Sequence, residues 1–450
     1  MIAAAKNITN RQDIQRVRPV SRLGRPSCQT ASARRAAPIS APVRVKIHSK
    51  SRCASGDGVE ASAIARDLAS GHSDRLIGQA VFCGAGITGW RRRQEQGAIL
   101  HPVAFGRITL AMNFSSDTAA PAHPAILAAL SQANSGGEAS YGADKWMMLA
   151  KQRLIEVFET DLDIWLVSSG TAANALALAA MCPSTHAILC HEEAHIERDE
   201  RGAPEFFTGG AKLSLLHGAN AKIDSGELKR RLDLNQPDFV HETPLRVLSL
   251  SNLTECGAAY SPAELAECAT LAKAAGLMVH LDGARFANAL VSSGATPAAM
   301  SWRSGVDVMS FGATKNGALG CEAILLFGEA RKFSSDLQIR AKRAGHMPPK
   351  MRFLGAQMAA YLEGGLWLEL ARRANVSALK LAEIFTNRAG GRLMRPVDGN
   401  EVFVTLSQAA VDRLRQAGAS FYPWADGSLR FVCSWATSAA EIEDVARHLG

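Results

Sequence analysis

The nine cysteines of this chain form no Cys-x-x-Cys pair, and none has a histidine at the spacing of a metal site. This absence argues against a metal centre and against the disulfide framework of a small secreted protein. The chain also lacks a continuous run of the ~20 apolar residues that a membrane-spanning helix needs. We therefore expect a cytoplasmic protein with no metal and no membrane partner.

Acidic residues are scarce at the beginning of the chain. Residues 1–111 contain 18 Lys or Arg but only 6 Asp or Glu, so this segment carries a net charge of +12 and the remainder −4 of the total of +8. An excess of basic residues suggests nucleic-acid binding, but here that excess is confined to residues 1–111. For the body of the protein we expect no nucleic-acid partner.

Residues 1–111, the leader, show no sustained helical or strand period and are not predicted to belong to the fold. A transit-peptide-like segment, a basic arm for nucleic acid, and upstream sequence translated from a start placed too early all fit this composition. We favour the last, with a true start near Met112. The Gly84–Gly89 segment matches the dinucleotide fingerprint formally, but it lacks a proper preceding strand and a later acidic residue.

The body has the pattern of an α/β protein. Short apolar segments alternate with longer helical ones, with strands predicted at 164–167, 186–190, 245–250, 277–281, 308–311 and 323–327. Apolar strands separated by helices indicate a mostly parallel sheet covered on both faces. After a helix-rich basic connector, three further strands and two helices predict a smaller α/β domain. We therefore predict an N-terminal arm and large domain at 112–350 and a small domain at 351–450.

Two of the predicted strands end in residues that suit pyridoxal 5′-phosphate (PLP). The segment Gly276–Leu281 leads into Asp282, and Val306–Phe311 is followed by Lys315 on a loop of small residues. A lysine can form a Schiff base with PLP, and an aspartate can keep the pyridine nitrogen protonated. Alone, the lysine would be a surface residue and the aspartate a helix cap; together they predict a PLP site.

Other loops fit the same site. Ser168–Asn174 lies between a predicted strand and helix, so Gly170 and Thr171 offer an anion site at a helix N-terminus. His195 follows the next strand, and its imidazole can stack on a pyridine ring and exchange protons near neutral pH. Arg285 can bind a carboxylate or the ring hydroxyl with two hydrogen bonds, although a plain surface ion pair is the alternative. Because ligands collect beyond the carboxyl ends of parallel strands, these groups are expected to share one cleft.

Residues 112–450 resemble the low-specificity L-threonine aldolase family, part of the threonine aldolase and beta-eliminating lyase group of fold-type I PLP enzymes. The resemblance rests on the segments Ser115–Thr118, Gly136–Gly142, Ser169–Asn174, Glu193–Ile196, His280–Arg285, the Lys315 loop and Leu429–Val432. It implies an aspartate aminotransferase-like fold, with a mostly parallel sheet in the large domain and a smaller C-terminal α/β domain.

The resemblance also implies a role for each matching residue. Lys315 would bind PLP covalently, Asp282 its ring nitrogen, His195 its ring face, and Gly170 and Thr171 its phosphate, while Arg285 would contact both cofactor and substrate; Ser116, Arg285 and Arg430 would bind the substrate carboxylate. The family is usually a homotetramer with shared active sites. Tyr141 and the basic connector (Lys342, Arg343, Lys350 and Arg352) would therefore serve a neighbouring subunit.

The implied reaction is retro-aldol cleavage of L-threonine, L-allo-threonine and related β-hydroxy-α-amino acids to glycine and an aldehyde. Some members carry a second histidine where this chain has Thr254-Glu255. His195 would therefore act as the base either directly or through a water that Glu255 helps to position. Another PLP lyase or an aminotransferase for a small amino acid is the alternative, and nucleic-acid binding through the leader is a remote one.

Overall fold

The computed structural model of the chain describes residues 112–450. The predictions for residues 1–111, including the basic leader, the expected start near Met112 and the Gly84–Gly89 match, lie outside the described residues. Within the described part, strands and helices alternate as the sequence predicts.

The bounds of the elements are as follows. The strands are β1 (Met112–Asn113), β2 (Leu162–Val167), β3 (Ala187–His191), β4 (Lys212–Leu216), β5 (Leu245–Ser251), β6 (Met278–Gly283), β7 (Val308–Gly312), β8 (Glu322–Phe327), β9 (Arg392–Leu393), β10 (Glu401–Thr405), β11 (Ala419–Ser420), β12 (Tyr422–Pro423) and β13 (Leu429–Val432). The helices are α1 (Pro124–Ala133), α2 (Lys145–Phe158), α3 (Gly170–Met181), α4 (His195–Arg198), α5 (Ala203–Thr208), α6 (Ser225–Asp233), α7 (Pro262–Ala274), α8 (Phe286–Ser293), α9 (Ser334–Arg343), α10 (Arg352–Leu362), α11 (Leu366–Ala389), α12 (Gln408–Gln416) and α13 (Ala439–Leu449).

A seven-stranded sheet with the order β2-β8-β7-β6-β5-β3-β4 forms the centre of the fold. Strand β8 pairs antiparallel with both of its neighbours, and the other neighbouring pairs are parallel. The prediction of a mostly parallel sheet is confirmed. The parallel strands therefore end at one edge, and the reversed β8 begins there.

Helix α3 illustrates why helices cover this sheet. Ser169 caps its first turn by accepting a hydrogen bond from the Ala172 amide, a common way to satisfy a free N–H at a helix start. Every residue from Ala172 to Met181 is buried. A helix that is apolar on all sides must be covered on all sides, and α3 packs against β7, β8, α5 and α9.

The ends of β6 and β7 approach each other closely. Asp282 on β6 lies opposite Ser310 on β7, and a β-carbon at Gly312 would lie 2.7 Å from the Cα of Ala284. A contact that short is sterically forbidden for any residue other than glycine. Gly312 thus lets the lysine loop begin directly beside the loop that follows Asp282.

An aromatic cluster supports the end of β7 from behind. The ring of Phe311 packs edge-on against Phe158 and Trp367, with centroid distances of 5.7 and 5.6 Å. Tyr361 lies nearby, and its hydroxyl donates a hydrogen bond to the Gly312 carbonyl. Buried aromatic pairs of this kind stabilise by about 0.5–1.5 kcal/mol each beyond their burial. The backbone that leads into Lys315 is therefore fixed.

A second apolar cluster lies in the C-terminal part. It includes buried residues of α11 to α13, β10 and β13, together with Met112 and Phe114 from the first described segment. Strand β1 pairs with β11, and β12-β13-β10-β9 form an antiparallel sheet. The larger cluster extends to Ala371 in α11. The division into 112–350 and 351–450 stays a prediction, since α11 contributes to both clusters.

None of the helices between residues 112 and 450 is both long and apolar enough to cross a membrane.

Candidate active site

A cavity of about 230 Å³ lies at the edge where the parallel strands end. It is lined by Thr118, Ser168, Ser169, Gly170, Thr171, Asn174, His195, Asp282, Ala284, Thr314, Lys315 and Glu322. Lys315, Asp282, His195, Gly170 and Thr171 were each predicted for one cleft, and the structure brings all five together. The topology explains this arrangement because each residue follows, or ends, a strand of the same sheet.

The Lys315 loop is held by a buried carboxylate. Glu322 accepts hydrogen bonds from the backbone amides of Ala313 at 2.9 Å and Thr314 at 3.4 Å. Burial raises the pKa of Glu322 to about 7, although these hydrogen bonds and the charge of Lys315 act in the opposite direction. On the far side of the loop, Asn316 donates to the Tyr361 hydroxyl at 2.8 Å. Lys315 thus projects from a fixed turn.

Asp282 faces the cavity from the end of β6. One of its carboxylate oxygens accepts from the Ala284 amide at 3.0 Å, and the other accepts from the side chain of Asn174 at 2.7 Å. Asn174 also donates to Glu200 at 2.9 Å. The amide of Asn174 therefore links two buried carboxylates, Asp282 and Glu200, and orients both.

His195 is held by Glu200. Its Nδ1 lies 2.8 Å from Oε1 of Glu200, whose side chain is completely buried. Burial lowers the pKa of His195, but the hydrogen bond with Glu200 and the charges of Glu255 and Asp282 outweigh that effect and raise the pKa. Because the Nδ1–H donates to Glu200, Nε2 is the ring nitrogen that remains free to exchange a proton.

The N-terminus of α3 forms the opposite wall of the cavity. Gly170 and Thr171 begin this helix, and no atom lies within 4 Å of the position that a β-carbon on Gly170 would take. The backbone amides of a first helical turn lack partners within the helix and favour an anion. This wall fits a phosphate group.

Arg285 occupies a different place from the cavity lining. Its guanidinium donates two hydrogen bonds to Asp117, from Nε at 2.7 Å and from Nη2 at 3.1 Å, and its Nη1 lies 3.4 Å from Glu401. Burial lowers the pKa of Arg285, but the charges of Asp117 and Glu401 raise it overall. The pKa of Asp117 is lowered by the Arg285 and Lys315 charges against the effect of burial. Arg285 therefore forms an ion pair, but a buried one and not the surface ion pair named as the alternative.

The remaining predicted residues lie outside the cavity lining. Ser116 caps the short turn Asp117–Ala119, and Arg430 lies 3.8 Å from Glu401 with its guanidinium 4.9 Å from the Trp424 ring. Glu255 borders a separate small cavity with His191 and Glu193. Their roles stay predictions.

Tyr141 is 48% exposed, and the Lys342 ammonium lies 4.4 Å from its ring centroid. Lys342 of the basic connector is therefore close to Tyr141, but neither Tyr141 nor the four connector residues line the cavity of Lys315. Whether they serve a neighbouring subunit stays a prediction.

The sequence profile of the beta-eliminating lyases matches residues 113–409. The chain belongs to the beta-eliminating lyase family. Within that family, a low specificity L-threonine aldolase of Pseudomonas aeruginosa is 42% identical over 337 residues, which cover 75% of this chain and 96% of that protein. Another, from a Pseudomonas strain, is 41% identical and covers 74% of this chain and 95% of its own length.

Solved structures agree with this family assignment. The threonine aldolase of Leishmania major superposes with a TM-score of 0.69 at 27% identity, over 75% of this chain and 97% of that one. A structure described as an L-allo-threonine aldolase of Listeria monocytogenes, at 17% identity and a TM-score of 0.57 over 75% of this chain and 95% of that one, shows the fold alone. The fold is that of the fold-type I PLP enzymes, and the predicted fold class is confirmed.

The lining of the cavity fits PLP, the cofactor on which the beta-eliminating lyase family depends. Lys315 supplies an amine, Asp282 a carboxylate at the end of the neighbouring strand β6, and the start of α3 an anion site. Two further buried oxygens, Oδ1 of Asn174 and Oε2 of Glu200, have no hydrogen-bond partner among the described residues. Buried polar atoms of this kind normally have a partner, so the site is suited to a polar ligand.

Several site residues were not predicted from the sequence. They are Thr118, Asn174 and Glu322 in the cavity lining, Glu200 in contact with His195 and Asn174, and Asp117, Asn400 and Glu401 around Arg285. Asn174 and Asp117 lie inside segments that carried the family resemblance, so proximity to a motif was the available signal. Glu401 has no local sequence signal because its partners come from distant segments. Glu200 lies only five residues after its partner His195, but no motif marks it.

Proposed function

We propose that the protein uses PLP to cleave the Cα–Cβ bond of L-threonine, L-allo-threonine and related β-hydroxy-α-amino acids, which releases glycine and an aldehyde. The relatives from Pseudomonas are low specificity L-threonine aldolases, and this chain spans nearly their whole length. The observation that carries the proposal is the convergence of Lys315, Asp282, the α3 N-terminus and the Glu200-held His195 on one cavity.

Some residues of the site would hold the cofactor, and another would transfer a proton. PLP, when bound, accepts the electron pair that is released as the Cα–Cβ bond breaks. Lys315 would hold the cofactor, Asp282 would stabilise a positive charge at the ring nitrogen, and Gly170 with Thr171 would bind its phosphate. Each of these assignments follows the position of the residue in the cavity.

His195 would take the proton of the β-hydroxyl group. Its Nε2 is the free ring nitrogen, and a base close to neutrality is the most effective at physiological pH. Glu255 lies near enough for its charge to raise the pKa of His195, but it borders another cavity. We therefore assign the proton transfer to His195 and an electrostatic effect to Glu255.

The substrate carboxylate would bind beside Arg430 with help from Ser116 and Arg285. Arg430 points its guanidinium toward Glu401 and against Trp424, and its Nε has no hydrogen-bond partner among the described residues. An arginine with free donors is suited to a carboxylate. A substrate whose carboxylate is held there would have its Cα–Cβ bond oriented for cleavage.

Product analysis with L-threonine tests the reaction. Equal amounts of acetaldehyde and glycine are expected, whereas ammonia with a keto acid would assign the protein to β-elimination, and a keto acid formed with an added amino-group acceptor would assign it to transamination. Either of these outcomes would contradict the aldolase proposal while leaving the PLP fold intact.

The Lys315→Ala variant tests the cofactor assignment. It should lose the visible absorbance of lysine-bound PLP and lose activity, because no other described side chain in the cavity offers an amine. Lys212→Ala, at an exposed position on β4, is the matched control and should keep both. An unchanged absorbance spectrum in Lys315→Ala would refute the assignment.

We also propose that the enzyme is a cytoplasmic homotetramer with shared active sites. Large apolar side chains near Tyr141 and the basic connector are exposed, including Met148 at 63% and Ile339 at 65%, which supports burial against another subunit. The cysteines between residues 112 and 450 are free thiols, which supports a reducing compartment. Light scattering would test the homotetramer, and fractionation of cells would test the cytoplasmic location.

A further inference from the structure

Four charged side chains from distant segments meet in a buried cluster beside the cavity. Asp117 precedes α1, Arg285 follows β6, Glu401 begins β10 and Arg430 lies on β13. Arg285 contacts both acids, and Glu401 contacts both arginines. The cluster therefore contains two positive and two potentially negative groups, arranged around Arg285 and Glu401.

The two acids in this cluster are held very differently. Asp117 accepts two hydrogen bonds from Arg285 and one from Asn400 at 3.0 Å. Glu401 lies 3.4 Å from Arg285 and 3.8 Å from Arg430, yet neither of its carboxylate oxygens has a hydrogen-bond partner among the described residues. Its side chain is completely buried. A buried carboxylate without hydrogen bonds is costly, so its presence calls for an explanation.

Arg430 is the arginine that is less firmly held. Arg285 is fixed by its paired hydrogen bonds with Asp117, whereas Arg430 makes only the long contact with Glu401 and stacks against Trp424 and Tyr422. A carboxylate that entered beside Arg430 would meet donors that are not satisfied by Glu401. It would also place a second negative charge next to that buried acid.

We propose that Glu401 is a positioning residue that substitutes for the substrate carboxylate in the free enzyme and takes up a proton from solvent when that carboxylate binds beside Arg430. This inference rests on the proposed function, which supplies a substrate with a carboxylate. In the free enzyme Glu401 keeps Arg285 and Arg430 in place. In the complex the substrate carboxylate balances Arg430, and the neutral form of Glu401 avoids repulsion.

The surroundings of Glu401 support proton uptake. Burial raises its pKa most, Arg285 and Arg430 lower it, and Glu255 and Asp117 raise it, with an increase overall. Cys256, whose pKa burial raises to about 11, and Arg395 lie in the same neighbourhood. An additional negative charge raises the pKa of a carboxyl group further. The affinity for a carboxylate should therefore increase as the pH falls.

Calorimetry can count the proton directly. The probe is 3-hydroxybutanoate, which has the carboxylate and hydroxyl of threonine but no amine, so it neither reacts with PLP nor titrates as an amine. The PLP-loaded enzyme is titrated with it between about pH 5 and 8, in buffers of different ionisation enthalpy. We expect net uptake of up to one proton, and binding that strengthens with falling pH by as much as about 10-fold per pH unit.

Three substitutions assign the proton. Glu401→Gln should bind the probe without proton uptake and with a flat pH profile, whereas Glu401→Asp keeps a titratable group and should keep the uptake. Glu255→Gln, which removes the neighbouring acid, should also keep it. Asp163→Asn, in the ion pair with Lys151 on the surface, controls for the exchange of an acid for an amide and should match the wild type.

The proposal is overturned if the wild type takes up no proton over this range, a result that does not depend on any variant folding. It is also overturned if Glu401→Gln keeps the uptake or if Glu255→Gln loses it. A lower Tm of Glu401→Gln with unchanged proton uptake would show a structural role alone and would contradict the proposal. Failure of the proposed function is distinguished separately, since it would appear as absence of glycine and acetaldehyde from L-threonine.

Discussion

At the scale of single residues, the side chain of Asn174 connects the two ends of the catalytic site. It donates to Asp282 and to Glu200, and Glu200 in turn accepts from His195. The group assigned to the cofactor ring and the group assigned to proton transfer are therefore linked through one buried amide. Buried networks of this kind are stable only when their members are satisfied together.

Replacement of Glu200 should change the pH dependence of the reaction. The hydrogen bond with Glu200 raises the pKa of His195, and His195 must be neutral to accept a proton. In Glu200→Gln the pKa of His195 falls, so the acid limb of the kcat profile should move to lower pH. The maximal rate should fall by about 10²-fold, since the orienting charge is lost.

The measurement is kcat for L-threonine as a function of pH. Glu197→Gln, on the same short helix as His195, is the control and should leave the acid limb in place. A Glu200→Gln enzyme with a wild-type acid limb would exclude His195 as the titrating base.

The site residues that could be predicted from the sequence are those whose position and residue type together suit a cofactor. Lys315 and Asp282 follow strand-like segments, and their combination suits a single cofactor. Glu200, which follows α4, and Glu322, which begins β8, could not be found in the same way. A glutamate in a loop or strand is ordinary until its burial and its partners are known. The ion pair of Arg285 with Asp117 depends on segments 168 residues apart, beyond the range of any local pattern.

At the scale of elements, the neighbouring ends of β6 and β7 place Asp282 and Lys315 together. Their separation depends on the close backbone approach at Gly312. The aromatic packing behind Phe311 leaves this part of β7 little room to move. A side chain at Gly312 would therefore push the lysine loop rather than the strand.

Gly312→Ala should lower the free energy of unfolding by about 1–3 kcal/mol, the usual effect of overpacking, and weaken PLP binding. Urea unfolding and PLP titration followed by absorbance would measure the two effects. Gly137→Ala is the control, because a β-carbon there meets no atom within 4 Å. Wild-type stability and PLP affinity in Gly312→Ala would show that the loop adapts freely.

Most strands of the large sheet were predictable because they are buried runs of apolar residues. Strand β4 was not predicted, and its burial explains why: at the sheet edge, two of its five residues are exposed and two are half-buried. The direction of β8 could not be predicted either, since the apolar pattern of a buried strand is the same whether it runs parallel or antiparallel to its neighbours. That direction is what brings Glu322 to the cavity.

At the scale of the whole molecule, the site residues all lie between Ser116 and Arg430, and the family match begins at residue 113. The net positive charge lies before this part, since residues 1–111 carry +12 and residues 112–450 carry −4. Catalysis and the basic segment should therefore be separable.

A chain that consists of residues 112–450 should retain kcat/KM for L-threonine within about twofold. The comparison is made with the full chain under the same PLP concentration. Any salt-sensitive binding of nucleic acid by the full chain should disappear in the shorter one, because it would depend on released counterions. Loss of aldolase activity on removal of residues 1–111 would contradict the assignment of the reaction to residues 112–450.

The pairing of β1 with β11 has a consequence for the order of folding during synthesis. Met112 and Phe114 pack with residues of α12 and α13, which leave the ribosome after every strand of the large sheet. Asp117 follows directly and joins Arg285 only where this pairing has brought it. The catalytic edge of the sheet can therefore assemble early, whereas its arginine cluster must wait until α12 and α13 have been translated. Nascent chains that stop before α12 should therefore bind PLP before they recognise a carboxylate.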